Sequence, residues 1–268
     1  MIIPPIKSNG IKTKLVPFIK NKIPNATTLI EPFFGTGVVS FNAGIENVIA
    51  NDINPHIINF YQSVKSGEIN ENTARTYLEY EGKKLEEDGV KHYNLVRKRF
   101  NEIGSSLDFL FLTRACFNGL MRFNSKGGYN TPYCKKDIRF SKAYITKICN
   151  QIKNLNMENY SFYNKDFREI INLTSSNAFI YCDPPYMNRN NTYFIGWNEK
   201  DESDLADMLS STSSKFMLST WHHNKYRNNE MIDKYWNKFN IITVEHRYTI
   251  GGKEQNRKNI TEALITNF

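Results

Sequence analysis

The sequence predicts an α/β fold interrupted by a mostly helical insertion that carries a hairpin. Three observations lead there. Short apolar runs alternate with glycine turns and helical stretches at Thr27–Asp52 and again from Tyr160 to Trp236. Between them, from about Asn59 to Asn150, the pattern is helical with no clear strand, too long for a simple crossover between neighbouring strands. At the C-terminal end, Asn240–Tyr248 and Thr261–Asn267 read as two further strands that form a hairpin. The expected division is a core of residues 1–58 and 151–268, with an inserted unit of residues 59–150.

Bulk properties narrow the function classes. The 268 residues allow one large domain, or a core with an insertion, and a hydrophobic content of 40% supplies a substantial core. No run approaches the ~18 apolar residues of a membrane span. Met1-Ile2-Ile3-Pro4-Pro5 is too short and proline-rich for a secretory signal. Cys116, Cys134, Cys149 and Cys182 are widely spaced, which argues against a zinc site or disulfide scaffold and for a reduced, cytoplasmic protein. A net charge of +8 suits a polyanionic partner.

In chain order, Asn9-Gly10 marks a turn flanked by Lys7 and Lys12, which read alone as solvated surface lysines. A short helix with Leu15, Phe18 and Ile19 on one face follows, ended by Pro24. Thr27–Gly37 is a strand running into a turn with two glycines, and Val38, Val39 and Phe41 begin a helix. The spacing is neither G-x-G-x-x-G nor a phosphate loop. Two glycines allow close backbone approach to a small ligand, and a phosphate-free nucleoside such as S-adenosylmethionine fits better than a di- or triphosphate. Asn47–Asp52 is the next strand. Asp52 lies roughly 17 residues beyond Gly35, near the ~20 typical of an acid that bonds ribose hydroxyls. Its competing role is to cap the helix from Pro55, although Asn54 can do that while Asp52 binds sugar.

In the insertion, Leu107–Leu112 reads as a buried helix. The segment Arg114–Tyr133 turns at Lys126-Gly127-Gly128 between two alternating arms. Arg122, Lys126, Lys135, Lys136 and Arg139 alternate with aromatic residues, a mixture suited to nucleic acid or to a soluble exposed hairpin. Tyr160–Tyr163 resumes the strands, and Asp166 follows as a helix cap or a ligand-binding acid. A helix is expected over Glu199–Leu209, a strand over Lys215–Trp221, a helical segment from about His223 to Trp236, and a basic loop at Gly251–Lys258. His222 and His223 should point to opposite sides of an extended chain, which disfavours a shared metal.

The chemistry concentrates at Asp183-Pro184-Pro185-Tyr186, directly after the apolar strand Ala178–Cys182. Each residue before a proline is pushed to extended geometry, and each proline lacks an N–H. The result is a stiff ledge at a strand's carboxyl end, offering a carboxylate, the Pro184 carbonyl and an aromatic face. Two acceptors and a π face suit an exocyclic amine on a flat heterocycle. Holding both N–H groups aims the nitrogen lone pair outward, while the ring stacks on the base.

Asp-Pro-Pro-Tyr, preceded by Glu31-Pro32-Phe33-Phe34-Gly35-Thr36-Gly37 and by Asn118-Gly119-Leu120-x-Arg122-Phe123-Asn124, resembles the Dam-type (D12 class, alpha group) DNA adenine N6-methyltransferase family over nearly the whole chain. The resemblance implies a Rossmann-like methyltransferase sheet and transfer of methyl from S-adenosylmethionine, leaving S-adenosylhomocysteine, to N6 of an adenine displaced from double-stranded DNA, without a metal. Asp183, Pro184, Pro185 and Tyr186 would be catalytic. Lys12, Glu31, Pro32, Phe33, Gly35, Gly37, Asp52, Asp166, Phe167 and Asp183 would bind cofactor, with Asp166 accepting from the cofactor's adenine amine. Lys7, Phe117, Asn118, Leu120, Arg122, Asn124, Lys126 and Lys135 would bind DNA, with Arg122 reading a base, Phe117 stacking beside the displaced base and Leu120 making an apolar base contact. The family's usual tryptophan and second glycine in the opening segment are replaced here by Ser8 and Ile11. The opening segment, the hairpin and Ser219–Asn224 further resemble a modification enzyme acting at a GATATC-like site, hence a monomer working beside a restriction endonuclease without touching it. The alternatives are a protein glutamine or RNA N-methyltransferase and a non-catalytic DNA-binding protein. An aspartate rather than an asparagine at 183 and an intact cofactor turn argue against them.

Overall fold

The computed structural model describes residues 1–173, 177–187, 194, 196–224, 227–247 and 259–268, with backbone alone at 224, 246, 247, 259 and 260. The basic loop expected at Gly251–Lys258, and Tyr248 of the strand before it, lie outside the described residues.

A mixed sheet forms the centre. Its strands are β1 (Thr28–Glu31), β2 (Asn47–Asn51), β3 (Tyr160–Tyr163), β4 (Ala178–Cys182), β5 (Lys215–Asn224), β6 (Arg227–Asn228), β7 (Asn240–Arg247) and β8 (Asn259–Thr266). The order is β3-β2-β1-β4-β5-β8-β7, with β6 paired to β5 outside that path. The first five of that order run parallel. Strands β8 and β7 add the expected antiparallel hairpin, which gives a Rossmann-like methyltransferase arrangement. The chain progresses from β1 outward through β2 and β3, then returns to the other side of β1 as β4. The carboxyl ends of β1 and β4 therefore flank the switch point at which open α/β sheets bind ligands.

Alternation along the strands sorts the core. Leu29, Val48, Phe179, Tyr181 and Met217 face one side, and Ile30, Ile180, Cys182, Phe216 and Leu218 the other. The second face is covered by α8 (Phe167–Ile171), α9 (Glu199–Ser211) and a π-helical turn at Ile232–Trp236. The first belongs to one apolar cluster with α3 (Pro55–Lys65), α4 (Glu71–Asp88), α5 (Val90–Ile103), α6 (Ser106–Ala115) and α7 (Lys142–Lys153), through residues such as Phe60, Tyr61, Phe100 and Phe109. Both expected domain boundaries thus fall inside continuous helices, α3 and α7. Two short helices complete the start of the chain: α1 (Val16–Lys20) before β1 and α2 (Ser40–Ala43) after it.

Two local expectations are corrected. The segment from His223 to Trp236 is not helical throughout. Strand β5 continues to Asn224, β6 turns back on it, and helical geometry is confined to residues 230–236. His222 and His223 do not point apart: the pairing of β5 with β8 shifts register between Trp221 and His223, and the two Nδ1 atoms lie 2.9 Å apart. Strict two-residue alternation holds only where the ladder is regular.

Candidate active site

The turn after β1 favours glycine at two positions, and at Gly37 requires it. Gly35 and Gly37 have φ of +54° and +72°, and a Cβ on Gly37 would lie 2.3 Å from Phe34 Cζ. At Gly35 a Cβ would meet nothing within 4 Å, so the space beside that backbone is open. Asp52 clamps the turn from β2: its carboxylate accepts from the Gly35 N–H (2.7 Å) and the Asn54 N–H (2.8 Å). Burial pushes Asp52 up to about 6 against the pull of these two N–H groups. The helix-capping role belongs to Asn54, whose side chain accepts from His56 N–H at 3.1 Å. Glu31 turns inward, 2% exposed, and accepts from the Ser40 hydroxyl. Burial pushes it up to about 8; the Ser40 bond opposes this, and the charges of Asp183 and Asp52 add to it.

Beyond the turn, three rings converge. Phe33 lies 5.4 Å from Phe167 and 5.5 Å from Trp197, and Phe167 and Trp197 are 5.4 Å apart. Asp166 caps α8, accepting from Arg168 N–H at 2.9 Å, and also pairs with the Arg168 guanidinium at 3.1 Å. The cap is therefore made, and the acid still lies on the wall of the same cavity.

At the carboxyl end of β4 stands the ledge. Lys12, only 6% exposed, places Nζ 2.8 Å from Asp183 Oδ2 and 5.2 Å from the centre of the Tyr186 ring. Asp183 is pushed up to about 6 by burial, with Lys12 holding it down and Glu262 adding to the rise. Tyr186 is buried, and its hydroxyl donates to Glu262 Oε2 at 3.2 Å. A cavity of about 330 Å³ connects these parts, within the size range of small-molecule clefts. Lys12, Glu31, Pro32, Phe33, Gly35, Asp52, Asp166, Phe167, Asp183 and Pro185 lie on its wall. Gly37, Pro184 and Tyr186 are not among its lining residues but adjoin residues that are. Among the described residues, no group of three or more His, Cys, Asp or Glu could hold a metal ion.

A strand-end glycine turn, an acid clamping it, and an Asp-Pro-Pro-Tyr ledge thus meet at one cavity, and the chain as a whole matches a known family in sequence. The family model for D12 class N6 adenine-specific DNA methyltransferases matches residues 8–250. The chain belongs to that family. Among its relatives is the Type II methyltransferase M.FokI of Planomicrobium okeanokoites, 31% identical over 98% of this chain, which spans 42% of that protein's length. A DNA adenine methylase of Vibrio cholerae is 29% identical over 97% of this chain and 95% of its own. The Type II methyltransferase M.MjaIII of Methanocaldococcus jannaschii is 30% identical over 99% of both. The chain is thus an adenine-specific DNA methyltransferase of the D12 class.

The D12 enzyme's expected reader is held differently from its cleft. The hairpin is reduced to two isolated bridges, Cys116 with Tyr133 and Phe123 with Tyr129. Asn118 and Lys135 adopt left-handed backbone, with φ of 54° and 56°. Asn124 spends its side-chain oxygen on the turn, accepting from Lys126 and Gly128 N–H, both at 2.9 Å. Arg122 is fastened to Asn130, with Nε 2.7 Å from the side-chain oxygen and Nη2 2.9 Å from the carbonyl. Phe117, Lys126 and Lys135 are exposed, and Leu120 is half-buried. Lys7 is half-buried; burial lowers its pKa, and its neighbours include Tyr144, Arg114 and Arg139. No helix among the described residues is long and apolar enough to cross a membrane.

Sequence reasoning missed two site residues. Trp197 closes the aromatic trio and donates from Nε1 to Glu202 at 2.7 Å; it lies outside every motif. Glu262 lies 76 residues beyond Tyr186, and only its charge directly before the apolar run Ala263-Leu264-Ile265 sets it apart.

Proposed function

We propose that this enzyme transfers a methyl group from S-adenosylmethionine to N6 of an adenine extruded from duplex DNA, as the modification enzyme of a restriction–modification system with a GATATC-like site. The observation that carries this reading is the convergence of Asp183 and the glycine turn of β1 on one cavity at the sheet's switch point. The cavity's chemistry fits the cofactor. It offers an open backbone at Gly35, an acid at Asp52 for hydroxyls, an acid at Asp166 for an amine and the rings of Phe33 and Phe167 for a flat heterocycle. No phosphate-binding lysine follows the glycines.

When bound, S-adenosylmethionine supplies an electrophilic methyl carried on a sulfonium. The chain's own residues do the rest. Asp183 and the Pro184 carbonyl accept the two N6–H groups, so the amine nitrogen presents its lone pair, and orientation supplies much of the acceleration. Lys12 keeps Asp183 ionised at neutral pH. As N6 gains the methyl and positive charge, the Asp183 carboxylate stabilises it in a partly dry site, and the surplus N6 proton is then lost through Asp183 to solvent. Tyr186 supplies the face against which the extruded base rests. The base must first leave the stack, which is assigned to Phe117, Leu120 and neighbouring side chains of residues 59–150, read here as a recognition domain inserted into a catalytic domain of residues 1–58 and 151–268. Lys7, Arg122, Lys126 and Lys135 are assigned to DNA. The working unit is a monomer.

The test is labelled methyl transfer from S-adenosylmethionine to duplex DNA, with protein and RNA as controls. Label on adenine N6 of duplex DNA is expected; label on RNA or protein alone would overturn the reading.

A further inference from the structure

Glu262 is a carboxylate that neither the cofactor cleft nor the family motifs require. It sits on β8 opposite Trp221 of β5 and Val244 of β7. It is 1% exposed, and Ala263, Leu264 and Ile265 follow it at 0%. A charged group in such a strand is costly unless it is partnered. One of its partners is the Tyr186 hydroxyl, 3.2 Å away. The same carboxylate is close enough to Asp183 to oppose its ionisation. Lys12 balances it, lying against Asp183 at 2.8 Å and over the Tyr186 ring at 5.2 Å. The ledge is therefore set between a cation from the N-terminal segment and an anion from the C-terminal strand.

We infer that Glu262 is a positioning residue for methyl transfer, fixing the Tyr186 ring through its hydroxyl. The inference rests on the assignment of Asp183–Tyr186 as the transfer site. A proline ledge fixes the backbone of Tyr186 but not the rotation of its ring; a bond from the hydroxyl to a neighbouring strand removes that freedom. The charged groups facing Asp183 are Lys12, Glu31 of β1 and Glu262 of β8, with the Tyr181 hydroxyl from its own strand. His223 and Glu245 pair with Thr261 rather than with Glu262 along the ladder.

The test compares wild type with Glu262→Gln, Tyr186→Phe and the double variant, measuring kcat, KM for S-adenosylmethionine, the pH profile from 5 to 8 and thermal unfolding. Glu262→Gln preserves shape and an acceptor oxygen but removes the charge. It should leave cofactor KM within about twofold and the unfolding temperature close to wild type, while kcat falls about tenfold, the worth of one charge-assisted hydrogen bond. Its acid limb should move to lower pH, because Asp183 ionises more easily without the neighbouring anion. The double variant should have a kcat little below that of Tyr186→Phe alone, since Glu262→Gln weakens the same contact that Tyr186→Phe removes. Should wild type leave adenine unmethylated, the transfer-site reading falls and takes this inference with it. Should wild type methylate adenine while Glu262→Gln matches it in kcat and pH profile, or while the two losses multiply, the inference alone falls.

Discussion

In the cleft, three acids at strand ends are fastened to groups outside their own strands. Asp52 grips the Gly35 turn, Glu31 holds Ser40, and Asp183 is paired with Lys12. In the hairpin, the backbone is tied to α5 through Tyr129 with Asn101 and Thr131 with Tyr93, while the polar side chains bond within the hairpin: Asn124 to its own turn and Arg122 to Asn130. The cleft's geometry is set by the fold before any ligand arrives. On the proposed reading, the hairpin's side-chain bonds at Asn124 and Arg122 are the ones that DNA would exchange. The difference follows from task, since chemistry at one atom needs preorganised acceptors, whereas reading DNA needs side chains that can trade an internal partner for a base edge.

The largest expected effect breaks the cleft. Asp183→Ala should lower methyl transfer by about three orders of magnitude, the scale of losing a charge-stabilising group at the reacting centre, while cofactor affinity stays within a few-fold. In the wild type the rate should fall as pH drops below about 6, the value to which burial raises Asp183, because a protonated carboxyl no longer offers a charged acceptor to its N6–H. A flat profile from pH 7 to 5 would remove Asp183 from the rate.

Next comes the frame of the turn. Gly37→Ala should cost about 1–3 kcal/mol of stability through its left-handed backbone, plus the clash with Phe34, measured by denaturant unfolding. Glu31 gives the same frame a pH signature. Its folded value is raised to about 8, so the folded chain keeps a proton that the unfolded chain releases. Its stabilisation is complete below the ordinary carboxylate range and is lost as pH rises through about 8. Glu31→Gln should flatten that decline in melting temperature.

Asp52→Ala should weaken S-adenosylmethionine binding by about 1–3 kcal/mol, the cost of removing a charged hydrogen-bond partner, with DNA binding nearly unchanged. Equilibrium titration decides it: unchanged affinity with a lower melting temperature would leave Asp52 as a clamp on Gly35 alone.

The smallest effects sharpen the hairpin's side of the contrast. Arg122→Ala should forfeit about 1–3 kcal/mol of discrimination at one base pair. Lys126→Ala should weaken binding evenly across sequences and reduce the salt slope by about 1. Methylation of single-substituted duplexes at fixed salt separates the two. Equal loss on every duplex for Arg122→Ala would make it a phosphate anchor.

How far the sequence could be read follows the same division. Strand ends, prolines and left-handed glycines act locally, so the β1 turn and the ledge were legible residue by residue, as was the C-terminal hairpin. What escaped depends on contacts far along the chain or on irregular ladders. Trp197 reaches Phe33 across the cleft, Glu262 reaches Tyr186 from β8, and the bulge after Trp221 brings two histidines together that alternation would separate. The helical segment reads as an insertion by pattern, yet its apolar residues join the sheet's own core, which periodicity does not reveal.

Single-base mapping of methylated adenines in duplex DNA, treated in parallel with wild type, Arg122→Ala and Asp183→Ala, tests the division of labour most directly. The account predicts N6-methyladenine at one short sequence for wild type, the same modification at a broadened set for Arg122→Ala, and none for Asp183→Ala. A map from Asp183→Ala that matches wild type in position and extent would contradict it.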